Sequence, residues 1–245
     1  MRILALDTAT ENLSVALYTD GAVLLRESAV VRGHGQWLLP MVDEVLGEAG
    51  IGLAALDAIA VGRGPGAFTG VRIAVSVAQG LAFASGLPIN GVSDLAALAL
   101  GAARCASSEG QLAAPLTILS CLDARLGGLY AADFRLAPGT QDITDPAHYV
   151  SVHEALTTPA ALTLAGEEPV LVAGHGWKVG TQLGARIGAR LARAYPDLLP
   201  SAGDIARLAA RLFSAGAGVA PEQLAPVYLR DDVATRSTRA PGAPR

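Results

Sequence analysis

The sequence predicts an α/β protein built from two related halves, each a mixed sheet flanked by helices, with a cleft between them. Three observations lead there. A chain of 245 residues that is 51% apolar can bury a sizeable core. A strand meander, a helix, a strand and a further helix follow one another clearly in the first half and in faded form in the second. A glycine-dense loop, Val61-Gly62-Arg63-Gly64-Pro65-Gly66-Ala67-Phe68-Thr69-Gly70, joins a strand-like run to a long helix-like run, as α/β sites do.

Ile3 to Leu6 and Leu13 to Tyr18 read as strands flanking Asp7-Thr8-Ala9-Thr10-Glu11-Asn12, and Asp20-Gly21 turns the chain into Ala22 to Ser28. Trp37 to Ala49 reads as a helix stopped by Gly50. The apolar run Leu56 to Val61 is a strand, and Gly70 to Ser85 a helix broken by Gly86-Leu87-Pro88. Ser93 caps a helix that reaches Ala106. The small, polar stretch Cys105 to Ala114 divides the halves, which places one lobe at residues 1–106 and a degenerate second lobe at 107–233. There Leu116 to Leu122 and Gly128 to Phe134 are strands around Asp123-Ala124-Arg125-Leu126-Gly127. Pro169 to Ala173 is another, followed by the turn Gly174-His175-Gly176 and by helices near Thr181 to Ala194 and Ala202 to Ala215. Arginines and prolines without apolar periodicity predict a disordered tail over 234–245.

Composition excludes several classes. A net charge of −4 argues against a basic surface able to hold nucleic acid alone, so RNA would be held by another subunit. The stretch Val71 to Leu87 is interrupted by Arg72, Ser76 and Gln79, too polar for a membrane span. Met1 to Asp7 meets an acid after a very short apolar run, unlike a secretion signal, so the cytoplasm is the expected compartment. Cys105 and Cys121 lack paired spacing and read as small core residues.

The glycine loop is either an anion site or a tight turn, and the sequence leaves both open. It lacks the Lys-Ser/Thr of a Walker loop, Lys178 being the chain's only lysine. Gly62-Arg63-Gly64-Pro65-Gly66-Ala67 fits the dinucleotide pattern, yet no acid lies between Ala67 and Asp94 to hold a ribose. The residues able to hold a nucleotide or anion are Gly64, Gly66, Thr69, Gly70 and Arg72, with Asp7 and Thr8 at the end of the first strand. Arg72, in the first helical turn, opposes the helix dipole by about 0.3–1 kcal/mol, which predicts an anionic neighbour. Asp7 and Asp123 are the carboxylates best placed for a cleft; capping a turn is the commoner role for each.

Two helices look like an interface. At 100° per residue, Leu38, Leu39, Val42, Val45, Leu46 and Ala49 share one apolar face that belongs in the core, whereas Trp37 and Met41 point away among Glu44 and Glu48. The Gly70 to Ser85 helix is apolar almost all round, with a narrow stripe of Arg72, Ser76, Gln79 and Phe83. Gly70, Ala74, Ala78, Ala84 and Ser85 leave room for another backbone. Trp37, Met41, Val71, Ala74, Ala78 and Phe83 are therefore expected to contact a partner, the alternative being a helix buried within this chain. Catalytic equipment is missing: a helical metal pair with His34 would need a ligand where Leu38 stands, and His148, His153 and His175 are scattered. No catalytic residue and no metal ligand is assigned.

Several segments resemble the bacterial TsaB family of tRNA threonylcarbamoyladenosine biosynthesis proteins: Ile3 to Thr10, His34-Gly35-Gln36 with Leu38-Leu39-Pro40, Gly64 to Ile73, Val92 to Leu95, Leu122 to Arg125 and Pro226 to Arg230. The block from Gly64 to Ile73 is the specific one, and the resemblance runs to about Ala234. It implies a two-lobe, actin-like ATPase fold (the acetate kinase, sugar kinase, heat-shock and actin superfamily) and a cytoplasmic role in placing threonylcarbamoyl on the adenosine beside the anticodon. In that family the chemistry belongs to a paralogue, TsaD, with a His-x-x-x-His metal motif; here Leu38 replaces the second histidine, which agrees with a non-catalytic subunit. The resemblance further implies that the two helices of the first lobe pair with those of TsaD, that the ATPase TsaE joins this pair, and that tRNA is reached only through the complex. Asp7-Thr8-Ala9-Thr10 sits where the superfamily has its first phosphate hairpin, usually with glycine at the Ala9 position. No cofactor is assigned beyond ATP or ADP as a candidate at the TsaD interface. The rival readings are an independent ATP-dependent phosphotransferase using Asp7 and the glycine loop, and a homodimer through the same helices when the partner is absent.

Overall fold

Residues 1–29, 33–110, 114–149, 153–179 and 182–230 are described by a computed structural model; the expected disordered tail lies outside them. The opening strands are apolar on both faces, Ile3 and Ala5 facing one core and Leu4 and Leu6 the other. Strands β1 (Arg2–Asp7), β2 (Asn12–Thr19) and β3 (Ala22–Ala29) pair antiparallel, with Asp20 and Gly21 at positive φ in the connecting turn. Helix α1 (His34–Glu48) leads to β4 (Ala58–Gly62), which pairs parallel to β1; α2 (Phe68–Ser85) leads to β5 (Ile89–Val92), parallel to β4. Helix α3 (Asp94–Ser108) follows, its Ser93 hydroxyl accepting the Ala96 N–H at 3.1 Å as an N-cap.

The second half repeats the plan. Strands β6 (Leu116–Asp123), β7 (Leu129–Leu136), β8 (Ala155–Thr157), β9 (Val170–Ala173) and β10 (Leu191–Tyr195) form a sheet ordered β10-β9-β6-β7-β8, the counterpart of β5-β4-β1-β2-β3 in the first. The outer helices are not repeated equally: among the described residues between β9 and β10, the one α-helix is the short α4 (Gln182–Ile187). The helix expected over Thr181 to Ala194 is thus corrected. Gly188, at φ 56°, ends it, and the chain enters β10, which lies parallel to β9.

Helix α5 (Ala202–Ser214) closes the architecture by crossing over. It packs against β1, β2, β4 and β5 of the first sheet, while α3, from the first half of the sequence, packs against β6, β7 and β9 of the second; the two helices also touch. One hydrophobic core consequently runs from Ile3, Ala5 and Ala60 through Leu95, Leu98 and Ile205 to Ile118, Phe134 and Leu171. The boundary near residue 106 separates the sheets but not the core. On the outer face of the first sheet, α1 and α2 cover a second cluster that includes Leu4, Leu6, Val61, Leu38, Val42 and Val75.

Candidate functional site

The glycine loop between β4 and α2 is held entirely by its own chain. The Arg63 N–H donates to the Val92 carbonyl (2.9 Å), the Gly64 N–H to Asp94 Oδ2 (2.5 Å) and the Ala67 N–H to the Ala9 carbonyl (2.7 Å). Thr8 Oγ1 donates to the Gly70 carbonyl at 2.7 Å. The glycines serve this close approach: a Cβ on Gly66 would lie 2.5 Å from the Ala9 carbonyl oxygen, and one on Gly70 would collide with the Thr8 carbonyl. The loop thus forms a tight turn packed against the Thr8-Ala9 backbone.

Behind the loop lie Asp7, at the end of β1, and Asp94, at the start of α3, both fully buried. Asp7 Oδ1 accepts the Ala9 N–H at 2.8 Å, the turn-capping role. The two carboxyls interact with each other, and Asp7 Oδ2 and Asp94 Oδ1 have no hydrogen-bond partner among the described residues. A proton shared between the two would supply what is missing. Burial raises the Asp7 carboxyl to about 6 in spite of its backbone hydrogen bond. Burial first, and the Asp7 charge second, push Asp94 well above the carboxylate range. Gly62 is required between them, since a Cβ there would lie 2.5 Å from Asp94 Oδ1 and 2.7 Å from Asp7 Oδ1. Asp123, in the matching position of the second lobe, likewise caps its turn: Oδ1 accepts the Arg125 N–H (2.7 Å), and its own N–H donates to His175 Nδ1 (3.0 Å). Burial lowers the pKa of His175.

Arg72 has aromatic neighbours within the chain. Its guanidinium lies 3.6 Å from the Phe68 ring centroid, one turn earlier on α2, and Nε donates to the Tyr228 hydroxyl at 2.6 Å. Aromatic faces and a phenol oxygen, not a carboxylate, offset the helix dipole. Of the residues expected to hold an anion, Asp7, Thr8, Gly64, Gly66 and Gly70 come together, with Thr8 bonded to Gly70 and the Gly64 N–H to Asp94, while Thr69 and Arg72 lie on the surface of α2.

The expected partner surface divides in two. Val71, Ala74 and Ala78 are buried against the first lobe's own sheet, because α2 turns Gly70, Val71, Ala74, Val75, Ala78 and Ala82 inward; they offer a partner no surface in this chain. The opposite face carries Thr69, Ser76, Gly80, Ala84 and Phe83, the last 80% exposed. On the neighbouring α1, Trp37 is 57% exposed beside exposed Leu39 and Pro40, and Met41 is half-buried against the core. Leu39 and Ala49, expected in the core, face solvent instead. Helix α2 is apolar and long enough to cross a membrane by length and composition, yet only 33% of it is buried. Its exposed residues are Phe68, Thr69, Arg72, Ser76, Gly80, Phe83 and Ala84.

The sequence reading gave Asp94 and Tyr228 no place in the site, although both lie in segments that carry the family resemblance; the contact of Tyr228 with Arg72 spans most of the chain. The pattern Ser93-Asp94, an acid just inside a helix that serine already caps, was the available signal for the first. Two cavities lie elsewhere, about 180 Å³ among Leu162, Leu183, Ile187 and Arg190, and about 510 Å³ among Glu27, Arg104, Leu198 and Asp204. Neither is lined by the glycine loop.

Residues 28–237 match the family described as TsaD, tRNA N6-adenosine threonylcarbamoyltransferase. The chain is 40% identical over 241 residues to the tRNA threonylcarbamoyladenosine biosynthesis protein TsaB of Escherichia coli, covering 96% of each chain. It is 32% identical over 237 residues to the TsaB of Haemophilus influenzae, covering 95% of each. The solved structure of YeaZ from Pseudomonas aeruginosa superposes with a TM-score of 0.78 at 39% identity, covering 93% of this chain and 99% of that one. Together with the duplicated sheets, these matches give the fold as the actin-like, two-lobe α/β architecture. With relatives this similar along nearly the whole of both chains, the protein belongs to the TsaB family of tRNA threonylcarbamoyladenosine biosynthesis proteins.

Proposed function

We propose that within tRNA threonylcarbamoyladenosine biosynthesis this protein is a non-catalytic subunit. It binds a TsaD-class transferase through the exposed faces of α1 and α2 and keeps it competent, in the cytoplasm. The observation that carries the reading is the exposure of large apolar side chains on the two neighbouring helices, Phe83 in the last turn of α2 and Trp37 and Leu39 in the first turns of α1. Exposed aromatics on two adjacent helices are typical anchors of an interface. Two features of the chain support the absence of chemistry: the glycine loop is packed against the Ala9 carbonyl, and the carboxyl pair behind it is closed on itself. They also weigh against an independent phosphotransferase. TsaE joins the assembled pair, tRNA is contacted through the complex, and ATP or ADP enters at the joint with the partner. Without the partner, the same face takes a second copy of this chain.

The test is titration calorimetry of the cognate TsaD with wild type, Trp37→Glu and Phe83→Asp, each first shown to be folded. The expected result is a loss of affinity of about 30-fold or more for either variant, the range of an anchor residue, with parallel loss of threonylcarbamoyl transfer in the reconstituted system. A folded Trp37→Glu, Phe83→Asp double variant that binds at full strength would end this reading.

A further inference from the structure

The last described segment, 217–230, leaves α5 and crosses the molecule from one lobe to the other. It begins on the edge of the first sheet, where Val219 and Ile89 exchange both backbone hydrogen bonds (3.0 and 2.9 Å) and the Asn90 side-chain amide donates to the Ala217 carbonyl (2.8 Å). It then runs antiparallel to α2. Gln79 Nε2 donates to the Pro221 and Leu224 carbonyls (2.9 and 3.0 Å), Leu224 packs on the core below, and Arg72 holds Tyr228 nearer the helix start. Between these points the Val227 N–H donates to the Arg63 carbonyl at 2.8 Å. The segment ends on the second lobe, where Arg230 donates to the Ala124 (3.1 Å) and Arg125 (3.3 Å) carbonyls in the turn between β6 and β7.

We propose that segment 217–230 is a clasp that holds the two lobes closed on each other, with Arg230 as its catch. The anchoring is unequal. On the first lobe the segment is tied by backbone pairs, two side-chain amides and a core leucine; on the second, one guanidinium spans two carbonyls. The turn it grips is held against its own backbone preference, because Arg125 and Leu126 are consecutive non-glycine residues at positive φ (64° and 53°), with Leu126 93% exposed. Arg63 links the clasp to a second tie. Its carbonyl takes the Val227 N–H while its guanidinium crosses to Glu154 of the second lobe at 3.2 and 3.5 Å, so both fastenings meet in one residue. The contact of α3 with α5 at the base of the cleft is the hinge about which release opens the molecule.

The test is a pulsed-EPR distance between spin labels at Thr69 on α2 and Asp133 on β7, in the full chain with Cys105 replaced by serine. Arg230→Ala should lengthen and broaden the distribution. It should also speed hydrogen exchange at Ala124 and Gly128, whose amides close the gripped turn, by at least about tenfold, while amides of β1 and β4 stay protected. Arg230→Gln, which keeps a donor, should lie between wild type and Arg230→Ala, and supplies the reading should the alanine variant lose its protected core. A label distance unchanged in a folded Arg230 variant overturns the clasp, even if exchange rises within 221–230 itself.

Discussion

The buried carboxyl pair shows what single residues do here beyond any motif. Asp7 and Asp94 each carry a folded-state pKa raised above the unfolded value, so the folded chain binds more protons than the unfolded chain between the two. The stability contributed by the shared proton is fully present below the ordinary carboxylate range. It is lost as pH rises from about 4 through the raised value near 6 for Asp7. Asp94→Asn keeps an acceptor for the Gly64 N–H and gives Asp7 a permanent donor. The expected outcome is that the variant melts above wild type by at least about 2–4 °C near pH 8, the shift that about 1 kcal/mol produces in a chain of this size. The advantage should shrink or reverse near pH 4.5, as scanning calorimetry at both pH values would show. Asp7 was legible because an acid ends an apolar strand; its partner was not, because nothing local relates residues so far apart in sequence. The dipole argument for Arg72 asked for a compensating charge; an aromatic face is a partner that charge counting does not see.

At the scale of elements, α2 has one buried apolar face and one exposed face on which Phe68 and Phe83 stand among small and polar residues, and periodicity alone could not say which apolar residues fill the core. Residues that line up with Ala78 fill the lobe's own core; those that line up with Phe83 face outward. The two should separate in denaturant titrations. Ala78→Leu overpacks the core and should destabilise the isolated chain by about 1–3 kcal/mol. Phe83→Asp should leave the isolated chain's stability within about 0.5 kcal/mol of wild type while removing affinity for the partner. The strand-helix-strand order was legible wherever a strand is an unbroken apolar run, even one as short as β9. It failed at β10, β5 and β8, where Arg193, Asn90 with Gly91, and Thr157 interrupt short runs.

For the whole molecule, the sequence announced a duplication but not the exchange of α3 and α5 between the halves, which is a property of packing rather than of local pattern. Because each sheet is covered by a helix from the other half of the chain, neither half can close its own core. Expressed separately, residues 1–110 and 114–245 should lack the circular dichroism and cooperative melting of the intact chain. Expressed together, they should recover a folded complex, and a cooperatively folded isolated half would contradict the shared core. The repeat is faithful in its sheets and unfaithful in its outer helices: the first lobe has the long pair α1 and α2, the second only six-residue α4 among the described residues. Doubling the framework thus did not double the long helix pair. On the interface proposed above, each chain offers one such face among the described residues, so assemblies built through that face alone terminate as pairs and do not propagate into rings or filaments.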